Sequence, residues 1–370
     1  MFLDYLQVNP NTRIPVLAPD NTPLMPTLYR RSQAWVKAGK AEWASNDLNI
    51  KQVRLLEAPS STATQPVVIG IDPGKKFSGI AVQSSRFTLF TAHLVLPFPH
   101  ITKKMTGRRI LRRARRGRRI NRKVAFKLRA HRQKRFDNRR KKGIPPSIRA
   151  NREFELRLVK ELLRLFPVSK IVYEYIEARG NKAFSPVMVG QKVMLEWLRK
   201  LSFTVTQFGW QTAKLRTHLG LVKQKTDKSA QTPQTHAVDG IALAASQFVQ
   251  YKAFYTATTH GHDWMGSVRL TPSPFRVIAR PNLFRRQLHF ENFSKGGVRK
   301  RKGGTVTPFG FRSGDFVQAE KAGRVCRGWI GGFSETSKVV SVYDHNWHRL
   351  GQFKANKVNL IKRSTKLCVA

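Results

Sequence analysis

The sequence predicts an α/β protein with a mixed sheet at its centre, a small domain in front and a small β-rich domain behind. Three observations predict it. Residues 67–71 are an apolar run broken only by Gly70, as expected of a strand buried on both faces. Two further β-prone runs follow at 77–82 and 87–96, so the three form a meander. Beyond residue 149, helical and strand patterns alternate, the texture of a mixed α/β sheet.

The chain has 370 residues, room for two or three domains. In front, Ile14, Val16 and Leu17 read as a short strand with a turn at Asp20-Asn21. Pro23-Leu24-Met25-Pro26 follows, then a short basic helix over 30–43 interrupted near Gly39, then a strand over 49–58. Ser, Thr and Pro make 58–66 a linker. After the meander comes a basic stretch, ended by Pro145-Pro146. A helix is expected over 149–166, with Leu156, Val159, Leu162, Leu163 and Phe166 apolar. Strands at 170–176 and 203–208 and helices at 187–201 and 235–251 complete the middle. From about 253 onward, paired glycines punctuate short β-prone runs such as 339–343. The expected divisions are 1–65, 66–102, 103–145, 146–180, 181–252 and 253–370.

Charge narrows the function. Lys and Arg number 69 against 21 Asp and Glu, a formal net charge of +48. A compact body so charged repels itself unless a polyanion neutralises it, and nucleic acid is the obvious polyanion. No apolar run of about 18 residues argues for a membrane. The first ten residues lack the pattern of a secretory signal. Cys326 and Cys368 are too few for a disulfide framework or a zinc knuckle, so a reducing, cytoplasmic setting is expected.

Three places could carry chemistry. Asp72 ends the buried strand, where a carboxylate is costly unless it holds a cation or a hydrogen-bond network. The plainer alternative is an Asx-type turn before Pro73-Gly74. Glu174 interrupts the apolar strand 171–176, and Glu is depleted in strands. Glu177 lies three residues on, and alternation puts the two on opposite faces, so only one can point at Asp72. His236 and Asp239 stand at i, i+3 on one helix face. Alone, they read as readily as a surface His and a capping Asp. Together, two strand-borne carboxylates and a helix-borne pair on one sheet suit a two-metal nuclease, with Mg²⁺ or Mn²⁺ about 3.5–4 Å apart.

The basic stretch holds 21 Lys or Arg in residues 103–142, against Asp137 alone. Arg108, Arg109, Arg112, Arg113, Arg115, Arg116, Arg118, Arg119 and Arg122 leave no apolar stripe for a helix to bury. Arg favours a bidentate grip on phosphates. The expectation is a helix along nucleic-acid strands; a disordered basic tract is the alternative. His345-Asn346-Trp347-His348 reads as a turn in the tail rather than a catalytic cluster.

Pro23-Leu24-Met25-Pro26, then Gly70-Ile71-Asp72-Pro73-Gly74, then Arg108-Arg109-Ile110-Leu111-Arg112-Arg113 resemble the RRXRR-type RuvC proteins encoded by transposons, among them IscB and its shorter relative IsrB. The resemblance implies an N-terminal PLMP domain, a RuvC/RNase H-like sheet split into three segments, an arginine-rich bridge helix and a tail that reads a target-adjacent motif. No room exists between Glu174 and His236 for an inserted HNH nuclease, so IsrB is the nearer likeness. The family's catalytic residues would fall on Asp72, Glu174, His236 and Asp239, with the three carboxylates as metal ligands. The implied activity is RNA-guided nicking of the displaced DNA strand. The implied partners are a structured guide (omega) RNA and double-stranded target DNA, around a protein monomer at the prokaryotic nucleoid. A protein-only junction resolvase and a non-catalytic RNA-binding protein are the rival readings.

Overall fold

The structure, a computed structural model, describes residues 10–118, 123–128, 143–177, 185–281 and 306–370. The front domain comprises β1 (Arg13–Leu17), β2 (Pro23–Leu28), α1 (Tyr29–Lys37), β3 (Ala41–Trp43) and β4 (Val53–Leu55), with sheet order β2-β1-β4-β3. The Pro-Leu-Met-Pro segment is thus a strand, and its Leu24 packs with Ile14, Val16 and Val53. Only 53–55 of the strand expected over 49–58 forms. Asn46 holds the preceding stretch in a loop instead, accepting from the backbone N–H of Leu48 and donating to the Ile50 carbonyl.

The central sheet begins with β5 (Val67–Asp72), β6 (Phe77–Ser84) and β7 (Thr88–Val95), the antiparallel meander. Helices α2 (Phe98–Arg118) and α3 (Pro146–Leu165) follow, then β8 (Val168–Tyr175), α4 (Pro186–Arg199), β9 (Thr204–Phe208), α5 (Gly209–His218) and α6 (Val238–Ala245). β8 lies parallel to β5, and β9 parallel to β8. In order of occurrence these five strands stand 3-2-1-4-5 in the sheet, with the second reversed. This is a mixed α/β, RuvC/RNase H-like fold.

Alternation along the strands assigns the two faces. Ile69, Ile71, Ile171 and Tyr173 face one core with Leu158 and Leu162 of α3 and Met194 and Leu198 of α4. Val68 and Val172 face the other way, against Leu243 and Ala244 of α6. The even-numbered residues of β5 and β8 therefore look at α6.

Four differences from expectation bear on function. The helix expected over 235–251 is a short π-helical turn, Pro233–Ala237, running into α6, and the chain then turns into β10 (Gln250–Tyr255), paired with β11 (His260–Met265). At the end of α6 the Ser246 hydroxyl donates to the Leu243 carbonyl, a local bond of the kind that competes with helix continuation. Helix α5 forms at Gly209–His218, where the sequence pattern predicts no element. Helix α2 starts at Phe98, earlier than the basic stretch, and Arg119 and Arg122 lie outside the described residues. Lastly, the span 253–370 is not wholly a separate tail. Its β12 (Phe275–Ala279) pairs parallel with β7 and covers what would be an open sheet edge. The tail's own sheet has β13 (Phe316–Lys321), β14 (Arg324–Ser334), β15 (Val339–Tyr343), β16 (Arg349–Lys354) and β17 (Val358–Lys362), in the order β16-β15-β14-β13-β17. The chain then returns as β18 (Cys368–Val369) beside β12.

Close backbone contact seats α6. A Cβ on Gly70 would lie 2.1 Å from the Gly240 carbonyl oxygen, and one on Gly79 would lie 1.8 Å from that of His236. Only glycine lets the sheet and this segment approach so nearly. Gly70→Ala should cost about 1–3 kcal/mol by forcing α6 off the sheet. Urea unfolding checks this; an unchanged midpoint would mean that α6 packs elsewhere.

Candidate active site

The register of β5 against β8 builds the site. Gly70 pairs with Val172 and Ile71 with Tyr173. One step further, Asp72 and Glu174 stand side by side at the ends of adjacent parallel strands, both on the α6 face. Asp239, buried in the first turn of α6, meets them there. Glu177 lies past the strand end and is exposed, so Glu174 is the acid that joins Asp72.

Three acids so placed cannot all ionise at no cost. Burial opposes charge on Asp72, but His236 and the positive Lys223 outweigh it and hold this carboxyl below the usual carboxylate range. Glu174 is pushed up to about 9, first by burial, then by the charge of Asp72 and the hydrogen bond between them. The two carboxyls thus oppose each other's ionisation, and burial makes Glu174 the one that resists charge. Asp239 is also raised, by burial first and then by Asp72, while Lys223 and Arg216 pull against the rise.

Arg216 binds one carboxylate oxygen of Asp239 and Lys223 the other. Arg216 comes from α5 and Lys223 from the loop after it. The same helix brings its N-terminus and the Thr212 hydroxyl to Glu174, and Gly209 leaves the carboxyl room to approach. His236 Nδ1 lies 3.6 Å from Asp72 Oδ2. Its Nε2 sits 3.1 Å from the Lys228 carbonyl, which can only accept, so Nε2 carries the proton in that contact. The ring packs against Phe77 and His93, with centroids 5.6 and 5.2 Å away. His93 is fully buried and pushed down to about 4, by burial and then by His236, so it stays neutral beside the acids. His236 and Asp239 are thus brought to Asp72 as expected, though through a π-helical turn rather than along one regular helix.

Among the described residues, no three His, Cys, Asp or Glu side chains stand at metal-ligating spacing. Asp239 turns both oxygens to basic partners instead. The donor set nonetheless fits a hard divalent cation: three converging carboxylates, two of them raised by burial and mutual repulsion. Positive charge is what the cluster lacks, and Arg216 and Lys223 supply part of it.

Beneath Asp72, on the opposite face, lies a buried polar network. Arg152 and Glu155 are 1% and 0% exposed and form an ion pair of 3.0 Å. Arg152 also donates to the Tyr173 hydroxyl at 2.8 Å and to the Gly74 carbonyl at 2.9 Å. Ser78 donates to Glu155 at 2.5 Å and accepts from the Gly74 N–H at 3.0 Å. Helix α3 thereby fixes the turn just after Asp72. A signal for this pair existed in the sequence: Arg152 and Glu155 fall on the apolar stripe of Ile148, Val159 and Leu162. Arg216 and Lys223 left no such signal, because their partner is distant in sequence and α5 has no strong apolar face.

Of the basic residues expected to hold nucleic acid, Arg108 and Arg109 are exposed on α2, and Arg112, Arg113, Arg115, Arg116 and Arg118 lie in the same helix. The His-Asn-Trp-His segment is a turn; Trp347 packs on His100 of α2 at 4.8 Å, and His345 contacts Gln231.

Arg152→Met should destabilise the protein by about 3–5 kcal/mol, because it strands Glu155 as a buried charge. Arg152→Met combined with Glu155→Leu should recover much of that loss. Denaturant unfolding of both variants reads this out; additive losses would mean the pair is not coupled.

Residues 14–191, just under half of the chain, match the model of a family described as RRXRR protein. The match spans the front domain, Asp72, the arginine-rich helix and Glu174, and stops before His236. No curated protein matches the chain. Among solved structures, T. thermophilus RuvC in complex with a Holliday junction substrate is 15% identical, covering 49% of this chain and 90% of its own, with a TM-score of 0.27. A second Thermus thermophilus RuvC structure is 15% identical, covering 48% and 90%, with a TM-score of 0.26. The strand order, not these likenesses, identifies the fold. Residues 14–191 are thus similar to RRXRR proteins, and β5 to β8 within them belong to a RuvC/RNase H-like sheet.

Proposed function

We propose that the protein is an RNA-guided DNA nickase that cuts the displaced, non-target strand. The observation that carries this reading is the meeting of Asp72, Glu174 and Asp239 at one end of a RuvC/RNase H-like sheet. Two divalent cations, Mg²⁺ or Mn²⁺, held by these carboxylates would polarise the scissile phosphate and stabilise the departing oxygen. Arg216 and Lys223 would pass from Asp239 to the phosphate oxygens of the bound strand. His236, with Nδ1 turned toward Asp72, is placed to move a proton at the reacting centre. The exposed arginines of α2 would grip guide-RNA phosphates as a point-by-point neutralisation of the backbone.

The RRXRR match and the family resemblance support the guided reading, as does the charge of +48, which suits backbone gripping with base pairing left to read sequence. Structured RNA would supply much of the scaffold around a protein monomer. The tail would read a short motif beside the target. Among the described residues no helix is long and apolar enough to cross a membrane; nucleoid DNA in the cytoplasm would be the substrate.

The test is a supercoiled plasmid carrying a guide match and a permissive flanking motif, with each strand labelled separately. Nicked circles cut only on the non-target strand are expected, dependent on RNA and Mg²⁺. Asp72→Ala should abolish cutting and leave guided binding within a few fold of wild type. Cutting of four-way junctions without RNA would favour the resolvase reading, and nicking by Asp72→Ala at the wild-type rate would place the site elsewhere.

A further inference from the structure

At the end of the sheet opposite Asp72 lies a cavity of 660 Å³, between β1, the start of β7 and the segment leading into β12. Its volume falls in the ~300–1,000 Å³ range of ligand sites. It is separate from the carboxylates: Thr88 on its wall is five residues along β7 from His93, roughly 17 Å at ~3.4 Å per residue.

The lining is basic. Arg13, Lys51, Arg269 and Arg276 contribute to it, and no Asp or Glu does. Arg13 lays its guanidinium over the Phe87 ring, 3.6 Å from the centroid, and donates to the Pro26 carbonyl at 3.3 Å. Its Nε is buried with no hydrogen-bond partner. Arg276 donates to the carbonyls of Phe275 and Asn49 at 3.1 and 3.2 Å. Among the described residues neither guanidinium has a carboxylate partner, and burial lowers both below the usual arginine range. Partly buried cations without a counter-ion are costly, and an entering anion would relieve that cost.

We infer that this cavity is a second nucleic-acid site, which takes the phosphodiester backbone of a single strand and seats a base beside the Arg13–Phe87 stack. Guanidinium groups bind phosphate oxygens in pairs, and unstacked bases pack on arginine planes and aromatic rings. A volume of 660 Å³ suits a nucleotide and is far smaller than a duplex. Arg269, exposed at the rim, would meet the strand as it enters. The site requires only that the protein bind nucleic acid, so it stands whether or not guided nicking is correct.

The test uses the full chain and ten-nucleotide single strands, RNA in one arm and DNA in the other, each with one thio-substituted pyrimidine for photo-crosslinking. Crosslinks should map to peptides holding Phe87 and residues 269–276. The double variant Arg13→Gln, Arg276→Gln should reduce those crosslinks at least tenfold and leave crosslinks to α2 unchanged. Its salt dependence of binding should fall by about one to two phosphate contacts. Should that variant unfold, Arg269→Gln at the rim should still reduce the crosslinks severalfold. Crosslinks in one arm or both assign the strand chemistry, and each supports the site. Crosslinks to other surfaces only, or unchanged crosslinks in the folded variants, would overturn it.

Discussion

Asp72 and Glu174 lie together because β5 and β8 pair in parallel with a register that brings Gly70 opposite Val172. A slip of one residue would turn either acid to the other face, against α3 and α4, where Arg152 and Glu155 are already buried as a pair. The same register holds Gly70 under α6, and the near contact there sets Asp239 against the strand ends. One pairing thus collects carboxylates from three segments far apart in the chain. Folding must overcome their repulsion, and Arg216 and Lys223 on Asp239 and His236 beside Asp72 offset part of it.

The buried network around Arg152 also shows how the protein separates its charges. Among the described residues, the buried acids each hold basic partners: Glu155 has Arg152, Glu161 has Arg157, Asp239 has Arg216 and Lys223, and Asp315 has Arg363. The excess of basic groups is left for the surface and for the cavity at the far end of the sheet. The sheet therefore carries an acidic spot within a basic envelope.

Much of this was legible in the sequence. The apolar run ending at Asp72 and the lone acid in 171–176 marked two strands of the sheet, because buried strands leave few excuses for a carboxylate. Alternation singled out one of Glu174 and Glu177, and the exposed position of Glu177 shows which. Less could be read where tertiary contacts decide. Helix α5 has weak periodicity and exists because Leu215 and Thr212 bury against neighbours. The last helix ends at Ala245, beside a serine that bonds back to its own turn. Strand β12, placed with the tail on glycine content, belongs to the central sheet because β7 needed an edge partner, a demand invisible from local pattern.

The central claim is that Asp72, Glu174 and Asp239 form one cation-binding unit while Glu177 stands outside it. Mn²⁺ binding to the nucleic-acid-free full chain, followed by electron paramagnetic resonance, tests this most directly. Wild type and Glu177→Gln should bind with the same affinity, and Asp72→Asn should bind at least tenfold more weakly. Equal affinity in Asp72→Asn, or a loss confined to Glu177→Gln, would contradict the account.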